Sequence, residues 1–209
     1  GEYITFNADL KAVKIKYWDL PNKFNLSNQY NETDILTAFD NELNKAIKYR
    51  LIADVPLGTY LSGGVDSSII TAITALNTKK RINTYTIGFD ELNEFEYAKT
   101  VAEKYNTIHH EIVLNKKDYL SNWERIISFK DSPLGVPNEI PLAVMSSKLK
   151  EKITVVLSGE GADELLGGYG RIFRSPYDYE NEKPSISFYE YFIKKYEYVP
   201  REMRDKLIN

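Results

Sequence analysis

Leu57-Gly58-Thr59-Tyr60-Leu61-Ser62-Gly63-Gly64-Val65-Asp66-Ser67-Ser68 is the stretch from which the rest of the chain is read. It opens as a short apolar, β-prone run and ends in two adjacent glycines ringed by Ser and Asp. A helical pattern follows at Ile69, Ile70, Ala72 and Ile73. A strand, a glycine turn and a helix N-terminus in that order make an anion site. Glycines let successive backbone N–H groups converge, and the helix dipole favours negative charge there. Ser62, Ser67 and Ser68 add hydroxyl donors. Asp66 repels a phosphate, so its presence makes sense with Mg²⁺ between the two. The plain alternative is a turn without a ligand. Two Gly, three Ser and one Asp within seven residues, directly after a β-prone run, argue against it.

The bulk numbers exclude several classes. With 209 residues the chain can bury one α/β core, with or without an extension. Its 43% hydrophobic and 27% charged content is that of a globular domain facing water. A net charge of −3 gives no electrostatic reason to expect nucleic acid or an anionic membrane as partner. With no cysteine, disulfides, thiolate metal sites and a cysteine nucleophile are excluded within this chain. No apolar run approaches the roughly 20 residues of a membrane span. No signal-peptide pattern is present, so a cytoplasmic location is the expectation. The opening Gly1, in place of Met, reads as the start of a piece of a longer chain.

Working outward, Ala12 to Trp18 alternates at period two and predicts one strand, and Pro21-Asn22 with the polar run 25–31 predicts a loop. Ile35, Phe39, Leu43 and Ile47 recur every four residues, predicting a packing helix over 33–52 capped by Asn31 or Thr33. Strands at 57–61, 82–89, 109–114 and 153–157 then alternate with helices at 66–77, 94–105, 117–130 and 139–150. The last strand, Ile153-Thr154-Val155-Val156-Leu157, is almost wholly apolar and is expected to be buried on both faces. Alternation of this kind implies an α/β fold: a doubly wound parallel sheet with helices on both faces and right-handed crossovers. Ligands of such sheets sit beyond the carboxyl ends of the strands, at the point where strand order reverses.

The loop after the fourth strand is the second informative stretch: Ser158-Gly159-Glu160-Gly161-Ala162-Asp163-Glu164-Leu165-Leu166-Gly167-Gly168-Tyr169. Three carboxylates in five residues beside glycines are unlike packing. Ser158, Gly159 and Glu160 are placed to face a nucleotide and its acyl partner, and Asp163 to join Asp66 on Mg²⁺. The plain reading, an acidic helix N-terminus favoured by roughly 0.3–1 kcal/mol, serves Glu164 equally well.

The first turn is not the Walker loop, which needs a lysine. It resembles the Ser-Gly-Gly-x-Asp-Ser signature of the N-type ATP pyrophosphatases. Together with Thr86-Ile87-Gly88-Phe89, His109-His110-Glu111, Leu157 to Glu164 and Gly167-Gly168-Tyr169, in this order and spacing, it resembles the synthetase domain of glutamine-hydrolysing asparagine synthetase. The likeness spans roughly residues 50–175, and Tyr17-Trp18-Asp19-Leu20 fits the junction before that domain. It implies the adenine nucleotide alpha hydrolase-like fold. Residues 1–30 become a lead-in or linker from a glutaminase domain missing here, 31–175 the ATP-pyrophosphatase synthetase domain, and 176–209 an aromatic-rich helical extension, cut short. It implies that the β-carboxylate of aspartate attacks the α-phosphorus of ATP, giving β-aspartyl-AMP and pyrophosphate. Ammonia, made from glutamine by the other domain, then displaces AMP. Carried over by position, Ser62, Gly63, Gly64, Asp66, Ser67 and Ser68 hold pyrophosphate and Mg²⁺. Leu61, Ile87, Gly88, Ser158 and Gly159 line the nucleotide site, Asp163 completes the metal site, and Glu160 stands at the acyl centre. A homodimer is one expected assembly.

The family's lysine that helps adenylation has no evident counterpart in residues 176–209. Asp131-Ser132-Pro133 stands where Asp-Glu-Pro is usual. Glu94 or Glu96 matches a family acid near the pyrophosphate, or a solvated helix face. Arg171 reads either as a phosphate or carboxylate partner or as an exposed arginine. His109 and His110, adjacent on a strand, point to opposite faces and read as structural. Two rival functions remain open. One is a related adenylating amidotransferase or cyclase acting on another carboxylate, as in β-lactam synthetase. The other is a nucleotide-binding domain without turnover.

Overall fold

The computed structural model of the chain describes residues 1–19, 31–197 and 199–208. Its contacts divide it into Gly1–Leu43 and Asn44–Asn209. The first holds an antiparallel hairpin of β1 (Glu2–Phe6) and β2 (Ala12–Lys16), with Glu2 opposite Lys16 and Phe6 opposite Ala12. Asn7 ties the turn: its Oδ1 accepts from the N–H groups of Asp9 and Lys11 at 3.1 and 2.9 Å. Sequence alternation predicts only the second of these strands. The first escapes because Leu10, with φ 59°, takes the position where glycine would have signalled a hairpin. The loop expected at Pro21-Asn22 and 25–31 falls, but for Asn31, outside the described residues. Helix α1 (Glu32–Arg50) runs across the division, and Asn31 Oδ1 caps it by accepting from the N–H of Asp34. Of its four-residue stripe Ile47 is buried and Leu43 half-buried, while Ile35 and Phe39 are exposed.

In Asn44–Asn209 the order is β3 (Leu57–Tyr60), α2 (Val65–Leu76), β4 (Asn83–Gly88), α3 (Phe95–Lys104), β5 (Ile108–Val113), α4 (Lys116–Lys130), α5 (Glu139–Leu149) and β6 (Val155–Leu157). The four strands pair in parallel in the order β5-β4-β3-β6. The chain steps outward from β3 to β4 to β5, then returns to lay β6 on the other side of β3. Strand order therefore reverses between β3 and β6. The apolar composition of β6 predicts burial on both faces, but the strand is half-buried throughout. Among the described residues it is an edge strand, with one neighbour instead of two.

Pleating gives the sheet two unlike faces. On one, Tyr60, Tyr85, Ile87 and Ile112 pack with Met145 and Leu149 of α5. On the other, Leu61 packs with Ala98 and Ala102 of α3, among the buried threonines 59, 84 and 86. Buried hydroxyls need partners. Thr59 Oγ1 meets Thr71 Oγ1 of α2 at 2.8 Å, and Thr84 Oγ1 meets Thr107 Oγ1 at 2.9 Å.

After β6 come α6 (Ala162–Leu166), α7 (Gly170–Phe173), α8 (Ser175–Glu182), α9 (Phe188–Tyr196) and α10 (Arg201–Ile208). Ser187 and Glu190 form a capping box on α9. The Lys195 ammonium reaches Asp178 and Glu182 of α8 at 3.3 and 2.7 Å. Tyr179 stands edge-on to Phe188 and Tyr191. This part of the aromatic tail is packing. No helix among the described residues is long and apolar enough to cross a membrane.

Candidate active site

The ladder between β3 and β4 stops at Tyr60 opposite Tyr85, and Leu61 leads into the glycine turn. Its N–H donates to Tyr85 O at 2.9 Å, and its carbonyl accepts from Thr86 Oγ1. Gly63 has φ +89°, and a Cβ there would stand 2.4 Å from Tyr97 Cβ. Conformation and packing both demand glycine. Gly64 is the N-cap of α2, with φ −66° and ψ 161°, and no side chain caps the helix. The positive end of the helix dipole therefore opens onto the turn. The serines brace the turn from within. Ser67 Oγ accepts from the Ser62 N–H at 3.2 Å, lies 3.0 Å from Ser62 Oγ, and donates to Gly64 O at 3.2 Å. Ser68 Oγ is buried and has no hydrogen-bond partner among the described residues.

The second turn leaves β6 beside the first, because Thr59 is in register with Leu157. A Cβ on Gly159 would stand 2.9 Å from Asp66 Cβ and 3.2 Å from Ser67 N. Backbone and side chain of the two turns are thus in contact, and only glycine permits it. Ser158 Oγ accepts from the Glu160 N–H at 3.4 Å. Gly161, with φ +89°, starts α6 and brings in Asp163. The half-buried Asp163 carboxylate leans over Gly168, where a Cβ would collide with Oδ1 at 1.7 Å. Glu164 is engaged elsewhere. It accepts from the Tyr169 hydroxyl at 2.9 Å, which raises the pKa of that phenol.

Below the turns lies a cleft of about 560 Å³. Its walls are Tyr60, Leu61 and Ser62 at the end of β3, and residues 85–89 of β4 and its exit. The loop 92–94, Leu114, four residues of α5 or its cap (Asn138, Pro141, Leu142 and Met145), and Glu160 complete it. The structure therefore gathers Leu61, Ser62, Ile87, Gly88 and Glu160 around one cavity. Gly63, Gly64, Asp66, Ser67 and Ser68 continue from Ser62, and Ser158 and Gly159 adjoin them through Asp66. Asp163 is outside the cleft wall, on α6. Of the two weaker acids, Glu94 lines the cleft and Glu96 does not. Arg171 faces elsewhere: its Nη2 donates to Lys195 O at 2.9 Å, and the guanidinium stacks 5.3 Å from the Tyr196 ring. The α5 wall carries no motif that the sequence could have offered. Its only signal is the apolar pattern that packs α5 on β4.

The two histidines take opposite faces of β5. His109 Nδ1 meets Thr84 Oγ1 at 2.9 Å, and His110 stacks on Tyr85 with its Nε2 2.9 Å from Asn83 Oδ1. Burial is the main cause that lowers both pKa values, against a smaller opposing pull from Glu111 on His109. For a metal, no group of three or more His, Asp or Glu side chains with suitable geometry exists among the described residues. Two carboxylates completed by phosphate oxygens and water are, however, a donor set that Mg²⁺ accepts. Asp66 and Asp163, both half-buried at the two turns, fit that set.

Comparison with known proteins gives one consistent family. Residues 38–209 match the asparagine synthase family. The chain is 31% identical over 169 residues to a putative glutamine-hydrolyzing asparagine synthetase 2 of Methanocaldococcus jannaschii, covering 79% of this chain and 32% of that protein. It is 31% identical over 209 residues to a putative glutamine-hydrolyzing asparagine synthetase of Mycobacterium tuberculosis H37Rv, covering 98% of this chain and 29% of that protein. Among solved structures, an NH3-dependent NAD synthetase from Campylobacter jejuni aligns with a TM-score of 0.45 at 17% identity, over 64% of this chain and 60% of that one. The chain thus spans about three tenths of the length of the two curated relatives.

Proposed function

Because the chain belongs to the asparagine synthase family, we propose that it is the ATP-handling part of an enzyme that makes asparagine from aspartate, ATP and ammonia. Residues 31–175 form the synthetase domain, 1–30 lead in from a glutaminase domain that supplies the ammonia, and 176–209 begin a helical extension. The cytoplasm, where ATP and aspartate meet, is its compartment.

The reaction needs alignment and charge neutralisation more than covalent catalysis. Ser62, Gly63, Gly64, Ser67 and Ser68 grip the β- and γ-phosphates with backbone N–H groups and hydroxyls at the N-terminus of α2. The cleft beneath, from Leu61 to Ile87 and Gly88, takes the adenosine, and Ser158 and Gly159 bound the α-phosphate side. That leaves the α-phosphorus open to the aspartate β-carboxylate on the side of Glu160. Glu160 then orients the ammonia, or accepts its proton, as AMP leaves. Asp66 and Asp163 would hold Mg²⁺, which when bound offsets the negative charge of the triphosphate.

The observation that carries this reading is the seat of Gly159 on Asp66 and Ser67. It joins two glycine turns into one anion-binding edge at the switch point, above a cavity of nucleotide size. Exchange of labelled pyrophosphate into ATP by the full-length protein, with a panel of acids, tests it. Aspartate-dependent exchange is expected. Exchange with a different acid alone transfers the reading to a β-lactam synthetase-like amidation. ATP binding without exchange under any acid overturns the enzymatic reading and leaves a nucleotide-binding module.

A further inference from the structure

Leu61 is the root of the phosphate turn and lies one residue past the end of the sheet ladder. It is fully buried, with 0% exposure, so its carbonyl has no water to turn to. Thr86, itself 4% exposed, supplies the donor: its Oγ1 hydrogen-bonds to Leu61 O. That carbonyl shares a rigid peptide plane with the N–H of Ser62. The same N–H donates to Ser67 Oγ at 3.2 Å. The plane from which the turn departs is therefore held at both ends, by Thr86 on one side and by a serine of α2 on the other. Thr86 also stands on the cleft wall itself, beside Ile87 and Gly88. One hydroxyl thus links the strand that walls the cavity to the turn above it.

We propose that Thr86 is a positioning residue for nucleotide binding. Its hydroxyl sets the tilt of the Leu61–Ser62 peptide, and with it the direction of the donors that follow. It acts through the Leu61 carbonyl, on which that hydroxyl is spent. This role rests on reading the edge as an ATP site. Thr84 is the natural control. It lies two residues earlier on the same face of β4, is equally buried, and spends its hydroxyl on Thr107 and His109 instead. Losing a donor to a buried carbonyl is worth about a tenfold change in an equilibrium constant.

The test is calorimetric titration of the chain with Mg-ATP, alongside melting curves. Thr86→Val is expected to weaken binding about tenfold, Thr86→Ser to stay within about twofold of the parent, and Thr84→Val to lower the melting temperature without changing affinity. If Thr86→Val does not fold, Thr86→Ala compared with Thr86→Ser reads the same hydroxyl. Parental affinity in the valine or alanine variant overturns the proposal, and so does an equal loss in Thr84→Val. A parent chain that binds no ATP at all brings down the reading of the site, which is a separate and distinguishable failure.

Discussion

Asp66 is the residue at which a carboxylate is built into the glycine turn proposed to hold the triphosphate. If it binds Mg²⁺ there, Asp66→Ala should weaken Mg-ATP binding at least about tenfold by calorimetry. Unchanged affinity would remove the metal role. The glycines give a graded test. Gly63 combines φ +89° with a Cβ position 2.4 Å from Tyr97 Cβ, whereas Gly161 has the same φ and open space around it. Gly161→Ala should therefore show backbone strain alone, on the order of 1 kcal/mol. Gly63→Ala should add a clash with the body of α3 and lose clearly more, as read in denaturant melts. At Gly159 the added atom meets Asp66 and Ser67. Gly159→Val should push the turns apart and abolish ATP binding in a chain whose far-UV circular dichroism is unchanged. These demands are legible in the sequence as glycines in the right places. Which neighbour each would strike is not, since Tyr97 reaches Gly63 and Asp66 reaches Gly159 through the tertiary fold.

At the scale of elements, β5 carries a pH dependence with a definite sign. Burial holds His109 and His110 neutral, with pKa values below the usual 6.5. The unfolded chain therefore takes up protons first as pH falls. Stability should be full above about pH 6.5 and decline below it, until the folded-state values are passed. Replacing both with Asn should flatten that part of the profile in urea melts followed by fluorescence. The elements from α1 to β6 are legible because β-prone or apolar runs alternate with helical stretches and because turn residues separate them. Two features are not legible. The strand β1 lacks a glycine turn to announce it. The edge position of β6 depends on which strand it joins, and an apolar run reads the same at an edge as at the centre.

For the whole molecule, ligand and fold are linked. A nucleotide that binds only the folded Asn44–Asn209 unit at a hundred times its Kd should add about 2.7 kcal/mol. That corresponds to a melting temperature raised by roughly 5–10 °C. Chelating Mg²⁺ with EDTA should remove most of the rise, and no rise with Mg-ATP would deny the site. The pairing of β3 with β6, across nearly a hundred residues of chain, has a further consequence during synthesis. On the ribosome β3 emerges first, and until β6 arrives one of its flanks is a bare row of amide donors and acceptors, open to any passing strand. The newborn protein therefore crosses a vulnerable interval that only its own late segment can close, and nucleotide can reward that closure but cannot hasten its arrival.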